Sequence, residues 1–149
     1  MPIDYGRLVN RTWEIFSRNR VLWILGLIVA LTSGTFTGPE INGKLLPGAS
    51  ADWQIILPDG TALADIRYTL ETDVGELLYV QSRGVRHGSP EVLARIADGD
   101  SVDASEYTFR TSTRIETAAP ELDSLNKGVF VSVGGRQPSG VIYETYLVD

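Results

Sequence analysis

The chain has 149 residues, a net charge of −6 and a mean hydropathy near zero. This length suits one domain with a substantial core. The acidic balance argues against nucleic-acid binding, which needs a basic footprint. There is no cysteine and a single histidine, His87, so disulfides, cysteine-ligated metals and a multi-histidine metal site are excluded within one chain. We therefore expect no nucleic-acid partner, no metal and no other cofactor.

The first predicted unit, residues 1–33, differs in character from the rest of the chain. Its N-terminal half carries apolar residues at a helical spacing and is rich in arginine, namely Arg7, Arg11, Arg18 and Arg20. The unbroken apolar run Val21–Leu31 follows. At about 1.5 Å per residue, this run is too short to cross a hydrocarbon core of about 30 Å as a helix.

Three interpretations of this unit remain open. It is an interfacial helix with a short membrane-inserted stretch, a secretory signal, or a buried helix or strand of the domain itself. We favour the first, which predicts a helical segment over 1–33 and makes Val21–Leu31 a candidate membrane contact of a cytoplasmic barrel.

The second predicted unit, residues 34–149, has the pattern of short strands joined by tight turns. Pro58-Asp59-Gly60 is a strong turn signal. Ser89 is a predicted N-cap, with Gly99 ending the helix. The predicted elements are strands over Trp53–Leu57, Leu63–Thr72, Glu76–Arg83, Tyr107–Thr117, Gly128–Val133 and Val141–Val148, and a helix over Pro90–Asp98. The fold class is therefore mainly β, a closed or partly open antiparallel up-and-down barrel with one short helix, plus the N-terminal helix.

Ionisable residues recur on one face of each predicted strand. The sets are Asp65, Arg67 and Glu71; Tyr79 and Arg83; and Arg110, Arg114 and Glu116. Either these faces are the solvated outside of the sheet, or they line a polar lumen that binds a small molecule. The alternation alone does not distinguish the two.

Several stretches resemble a known family of bacterial and fungal proteins. They are Gly34–Pro39, Gly43–Gly48, Ala51–Gln54, Arg67–Thr72, Tyr79–Arg86, Pro90–Arg95, Glu106–Thr111, Glu116–Thr117 and Leu125–Asn126. In this order they resemble domain of unknown function family 3237 over Gly34–Asp149. The resemblance implies a closed antiparallel β-barrel with a short helix after the Arg83–Arg86 segment. Its recurrent polar positions would fall on Asp52, Arg67, Glu71, Tyr79, Arg83, Arg86, Arg110, Glu116 and Asn126.

The chain departs from this family at its beginning. Family members usually have about two strands before the segment that starts at Gly34. Here that space holds Met1–Ser33, which resembles the start of a bacterial multi-pass membrane protein. We therefore expect a barrel with an open edge, covered by the N-terminal helix or by a second subunit in a homo-oligomer.

The resemblance favours the lumen interpretation and leads to a functional hypothesis. We expect a small organic ligand, and a barrel that binds it or acts on it by proton transfer, isomerisation or cyclisation of a small organic acid or carbonyl compound. Arg67, Arg83 and Arg110 would hold an anion. Glu71 or Glu116 would carry a proton and Tyr79 would donate a hydrogen bond; Asp52, Arg86 and Asn126 would be further ligand contacts. The alternative is a non-catalytic, membrane-associated accessory or interaction domain.

Overall fold

The computed structural model describes residues 25–30, 33–137 and 140–148. Eight strands account for most of them: β1 (Leu25–Ala30), β2 (Ser33–Thr37), β3 (Asn42–Ile56), β4 (Ala62–Thr72), β5 (Leu77–Gly88), β6 (Tyr107–Thr117), β7 (Val129–Gln137) and β8 (Gly140–Val148). Two short helices, α1 (Pro90–Ala97) and α2 (Asp123–Lys127), and two 3₁₀ turns, Ala104–Glu106 and Pro120–Leu122, lie in the connections.

The strands form a closed barrel in which each pairs antiparallel with the next. Closure comes from β1, which pairs with β2 on one side and with β8 on the other. The predicted antiparallel up-and-down barrel is thus confirmed, as is the helix that follows the Arg83–Arg86 segment. The second helix, α2, was not predicted, because its five residues are too few to show a helical period.

Strand β1 corrects two expectations about the N-terminal unit. Leu25–Ala30 was expected to be helical, but it is a strand whose Leu27 lies between Phe36 and Tyr143. The expected open edge is also absent from the described barrel, because β1 fills the gap between β2 and β8. An apolar run flanked on both sides by strand partners satisfies its backbone hydrogen bonds in the sheet.

Among the described residues, none of the helices has the length and apolar character needed to span a membrane. The predicted helix and membrane contact otherwise concern residues 1–24 and 31–32, which lie outside the described residues.

Alternate residues of each strand face the inside of the barrel. On β4 the even-numbered residues from Ala62 to Thr72 are buried, whereas the odd-numbered residues point outward. Near the end of the barrel formed by the β4–β5 turn, the interior is filled by large apolar side chains, among them Leu45, Leu70, Leu78, Ile115 and Phe130. This half is a packed core, as expected for an eight-stranded barrel. The polar interior lies towards the opposite end.

Two details of the strands determine what reaches that end. β5 continues to Gly88, beyond the predicted end of this strand at Arg83, so Arg86 has a defined register opposite Ala62. β3 contains a bulge: its register with β4 shifts between Leu45 and Ser50. Gly48 lies inside this bulge with a φ of 78°, a conformation that favours glycine.

The α1 helix begins as predicted. The Ser89 hydroxyl accepts a hydrogen bond from the Val92 amide at 3.4 Å, and Pro90 opens the first turn. Replacing Ser89 by alanine should lower the free energy of unfolding by about 1 kcal/mol, because an orphan amide loses its cap. Urea denaturation of Ser89→Ala measures this. A Ser89→Asn variant should stay near the wild type, since asparagine also caps helices; an equal loss in both variants would contradict the capping role.

Candidate functional site

The polar half of the barrel interior begins on β3, directly after its bulge. Ser50 lies opposite Tyr68, and Asp52 lies opposite Ile66; both partners are buried interior residues of β4. The bulge therefore turns two polar side chains into the lumen. Gln54 donates a hydrogen bond from Nε2 to Asp52 Oδ2 at 2.9 Å, which leaves the other carboxylate oxygen of Asp52 directed into the barrel.

Two arginines lie at this end of the lumen. Arg86 of β5 is half-buried, and Arg136 of β7 lies at the rim, opposite the buried Val141. Burial and the neighbouring charge of Arg136 lower the pKa of Arg86, while Asp52 acts on it in the opposite direction. Two guanidinium groups against one carboxylate make this region locally positive in an acidic protein. Such a site attracts an anion.

Two buried phenols complete the site. Tyr68 of β4 and Tyr143 of β8 are 3% and 4% exposed. Burial raises the pKa of each phenol above its usual value. For Tyr143, the nearby Tyr68 and Asp52 raise the pKa further, whereas Arg136 and Arg86 oppose the shift. Both hydroxyls therefore stay protonated at neutral pH and can act as hydrogen-bond donors.

Three buried atoms of this region have no hydrogen-bond partner among the described residues. They are Ser50 Oγ, Asp52 Oδ1 and Arg86 Nε. Most buried polar atoms of folded proteins are hydrogen-bonded, and an unpaired buried donor or acceptor is costly. Here the set contains acceptors on β3 and a donor on β5, the two strands that flank β4. Arg86 Nε can donate to an oxygen of a bound small molecule, the Ser50 hydroxyl can donate or accept, and Asp52 Oδ1 is available as an acceptor. We call Ser50, Asp52, Tyr68, Arg86 and Tyr143 the lumen site.

The structure brings only two of the predicted site residues, Asp52 and Arg86, into this lumen. Six others lie on the outer face of the barrel: Arg67, Glu71, Tyr79, Arg83, Arg110 and Glu116. The expected lumen position is corrected for these six. The physical reason is the two-residue period of a strand: the apolar residues between them fill the interior, so the charged set must face outward.

Most of these outer charges have surface partners. The ion pairs are Arg67–Asp65 at 3.2 Å, Arg83–Asp65 at 3.3 Å, Lys44–Glu71 at 3.1 Å and Arg114–Glu116 at 3.0 Å. Arg67 also stacks over the Trp53 ring at 5.7 Å, and Arg110 donates to the Phe109 carbonyl oxygen at 2.8 Å. Exposed pairs of this kind contribute about 0–1 kcal/mol each.

Three predicted residues do converge, although outside the barrel. Tyr79, Glu116 and Asn126 line an open groove of about 610 Å³ beside α2. The Asn126 side chain is already engaged there: it accepts from the Thr117 amide at 2.9 Å and donates to the Thr117 carbonyl oxygen at 3.0 Å. Glu116 accepts a hydrogen bond from Gln81 in addition to its ion pair. Glu116 and Asn126 of the groove thus already have hydrogen-bond or ion-pair partners, unlike the unpartnered atoms of the lumen site.

The sequence-based prediction missed Ser50, Tyr68 and Tyr143. Tyr68 shares one face of its predicted strand with the apolar Ile66 and Leu70, which gave no sign of a site. The signal for Ser50 was the bulge, which the Pro47-Gly48 pair marks. A tyrosine in the apolar row of a strand is also a signal, because a buried phenol needs a hydrogen-bond partner.

The fold and the lumen define a small antiparallel β-barrel with a polar interior site at one end. The family described as "Protein of unknown function (DUF3237)" matches residues 23–148, and the chain belongs to this family. The match includes β1, in agreement with its place in the barrel.

Relatives and solved structures agree with this assignment. The chain is 32% identical over 122 residues to a UPF0311 protein of Clostridium acetobutylicum, covering 82% of this chain and 77% of that protein. It is 34% identical over 121 residues to a UPF0311 protein of Rhodopseudomonas palustris strain TIE-1, covering 81% of this chain and 78% of that protein.

A conserved protein of unknown function from Rhodopseudomonas palustris has a similar crystal structure. The TM-score is 0.77 at 28% identity, covering 85% of this chain and 94% of that chain. A beta-barrel like protein from Acinetobacter baumannii gives a TM-score of 0.68 at 40% identity, covering 88% of each chain.

Proposed function

We propose that the barrel binds a small organic acid or carbonyl compound in the lumen site. The observation that carries this proposal is the set of unpartnered buried atoms, Ser50 Oγ, Asp52 Oδ1 and Arg86 Nε. A bound carboxylate would accept hydrogen bonds from the Arg86 guanidinium, with the charge of Arg136 adding to the attraction. The phenol of Tyr143 would donate to a second oxygen of the ligand.

Binding is tested by NMR titration with pyruvate and with pyruvamide, which lacks the negative charge. Arg86→Met should weaken pyruvate binding about 10- to 100-fold, since a hydrogen bond to a charged group contributes about 1.5–3 kcal/mol. Arg83→Met is the matched control: it lies on the same strand, faces outward, and its side chain is 72% exposed. It should bind pyruvate as the wild type does. Equal effects of the two substitutions would contradict the proposal. Equal affinity for pyruvate and pyruvamide would contradict the role of Arg86 in holding a carboxylate.

The same site supports a proton transfer. The carboxylate of Asp52 would accept a proton from the carbon next to a carbonyl group. The electron pair of the broken C–H bond would form the C=C bond of an enolate, and the π pair of the carbonyl group would move to its oxygen, which the Tyr143 hydroxyl would stabilise. Return of the proton to the same or another carbon completes an exchange or an isomerisation.

This step predicts that the wild type accelerates deuterium uptake from D₂O into the methyl group of pyruvate. The Asp52→Asn variant should lose at least about 100-fold of that acceleration, the lower range for general base catalysis. Glu116→Gln, on the outer groove, is the control and should keep it. Binding of pyruvate without any Asp52-dependent exchange would identify a binding protein rather than a catalyst.

A further inference from the structure

A continuous row of hydroxyl groups runs from strand to strand along the inner wall of the barrel, from β5 to β8. Ser82 lies 2.7 Å from Thr113, Thr113 lies 2.9 Å from Ser132, and Ser132 lies 2.8 Å from Thr145, measured between side-chain oxygens. Thr111 joins as a branch, 3.2 Å from Thr113. All five residues are buried, with exposed fractions of 2–6%. We call them the hydroxyl chain.

The hydroxyl chain ends at the lumen site. Ser82 lies opposite Ile66, the inner-face neighbour of Tyr68 on β4. Its hydroxyl opposes the burial-driven rise of the Tyr68 pKa, as a donor to the phenol oxygen would. Tyr68, in turn, is close enough to Tyr143 to act on it electrostatically, and so is Arg86. One end of the chain therefore reaches the phenols and, through them, the region of the guanidinium groups.

Two arrangements of this chain have every hydrogen bond pointing in the same direction. Each hydroxyl has one proton to donate and can accept two hydrogen bonds. In the first, the protons point towards Tyr68: Thr145 donates to Ser132, Ser132 donates to Thr113, and Thr113 donates to Ser82. The Ser82 hydroxyl then donates to the Tyr68 oxygen. If they point the other way, Tyr68 donates to Ser82 and the unused proton lies at Thr145. Thr111 donates to Thr113 in both arrangements, because the single proton of Thr113 is already used within the chain.

We infer that the ligand is an oxo acid and that Tyr68 donates its proton to an oxygen of this ligand. In the ligand-bound protein, the hydrogen bonds of the hydroxyl chain then point towards Tyr68. The carboxylate of such a compound would lie at Arg86, and its keto oxygen would lie deeper in the lumen, where it would accept a hydrogen bond from Tyr68 in addition to the one from Tyr143. This inference rests on the proposed binding function. Thr113 is a positioning residue, since it controls the direction of the chain without touching the ligand. Cooperative polarisation along the chain strengthens the final hydrogen bond to Tyr68.

The test compares pyruvate with propionate, which has the carboxylate but no keto oxygen, in NMR titrations of the full chain. Tyr68→Phe should weaken pyruvate binding about three- to tenfold, the effect of one neutral hydrogen bond, and leave propionate binding unchanged. Thr113→Val should produce the same selective loss. Thr113→Ser should restore binding, and Thr111→Val, which removes only the branch, should behave as the wild type. In the double variant Tyr68→Phe with Thr113→Val, the loss should be no larger than in either single variant.

A spectroscopic readout reports on Tyr68 without any ligand. The protein is labelled with tyrosine carrying ¹³C at the ζ carbon, and the Tyr68 signal is assigned by its disappearance in Tyr68→Phe. This signal should shift in Thr113→Val and stay unchanged in Thr113→Ser and Thr111→Val. Thermal melting of each variant shows that the barrel still folds.

The outcomes separate the two proposals. If the wild type binds neither acid, the lumen-binding function and the oxo-acid assignment are both overturned. If it binds both acids equally, and neither Tyr68→Phe nor Thr113→Val changes this, the binding function stands and the inference about Tyr68 is overturned. An unshifted Tyr68 signal in folded Thr113→Val also overturns the role of the chain.

Discussion

Replacing Leu78 by alanine is expected to lower the free energy of unfolding by about 2–5 kcal/mol. Leu78 has no exposed surface and lies on the inner face of β5, within the apolar half of the barrel. The closed ring of strands around it limits how far the neighbouring side chains can move into the space left behind. The loss therefore combines the transfer of the deleted methyl groups with the cost of a cavity.

The neighbouring leucine is a matched control for this prediction. Leu77 carries the same side chain one position earlier, but it faces outward and is 52% exposed. Leu77→Ala should cost less than about 1 kcal/mol, as expected for a surface substitution. Urea denaturation of both variants, with unchanged slopes, measures the difference. Equal losses in the two would contradict the inside–outside assignment of β5, and with it the placement of Arg86 in the lumen.

The second large effect is expected at Gly84, between Ser82 and Arg86 on the inner face of β5. A β-carbon at this position would lie 2.1 Å from the Arg110 carbonyl oxygen and 2.6 Å from the Thr111 side chain. Backbone cannot move aside as a flexible side chain can, so β5 and β6 would have to separate. Gly84→Ala should therefore destabilise the protein by about 3 kcal/mol, the upper range for overpacking, and it should also distort the lumen site at Arg86.

Gly135→Ala is the control for this glycine. A β-carbon there would meet only the β-carbon of Ala104, at 3.6 Å, which is an ordinary contact. Its effect should be within about 0.5 kcal/mol, as for other tolerated surface changes. Thermal unfolding followed by circular dichroism compares the two variants. A Gly84→Ala protein as stable as Gly135→Ala would show that the close approach of β5 and β6 is not required for the fold.

Much of the barrel could be predicted from local patterns. Apolar and polar residues alternate along β4 from Ala64 to Glu71, and the turn signals that flank it are strong at Pro58-Asp59-Gly60 and Asp73-Val74-Gly75. Tyr107–Thr117 was predicted with the bounds that the structure gives. These elements were predictable because turn chemistry and a two-residue period act within a few neighbouring residues.

The sequence left open whether the apolar run Val21–Leu31 is a helix or a strand, because its local pattern does not distinguish the two. An uninterrupted apolar run lacks the alternation that distinguishes a strand from a helix. The described part, Leu25–Ala30, is a strand because β8 and β2 offer free edges on its two sides. Those edges come from residues far along the chain, so no local pattern could indicate them.

For the candidate site, the residues themselves indicated a polar cluster, and the resemblance supplied Asp52 and Arg86 among nine positions. Which of the nine meet in the lumen depends on strand parity and on the β3 bulge. A shift of one residue in register would exchange the inner and outer sets. The hydroxyl chain was hidden for a similar reason: Ser82, Thr113, Ser132 and Thr145 are common strand residues until four strands align them at 2.7–2.9 Å.

Alternation, turns and composition thus establish an acidic, mostly β chain without cysteine chemistry, because these features depend on residue types and their near neighbours. The closure by β1, the side of each strand that faces inward, and the meeting of Arg86 with Asp52 and the two phenols depend on the folded barrel. Closing eight strands into a ring pairs residues that are distant along the chain. Burial in that ring raises the pKa values of Tyr68 and Tyr143 and leaves three buried polar atoms without a partner among the described residues.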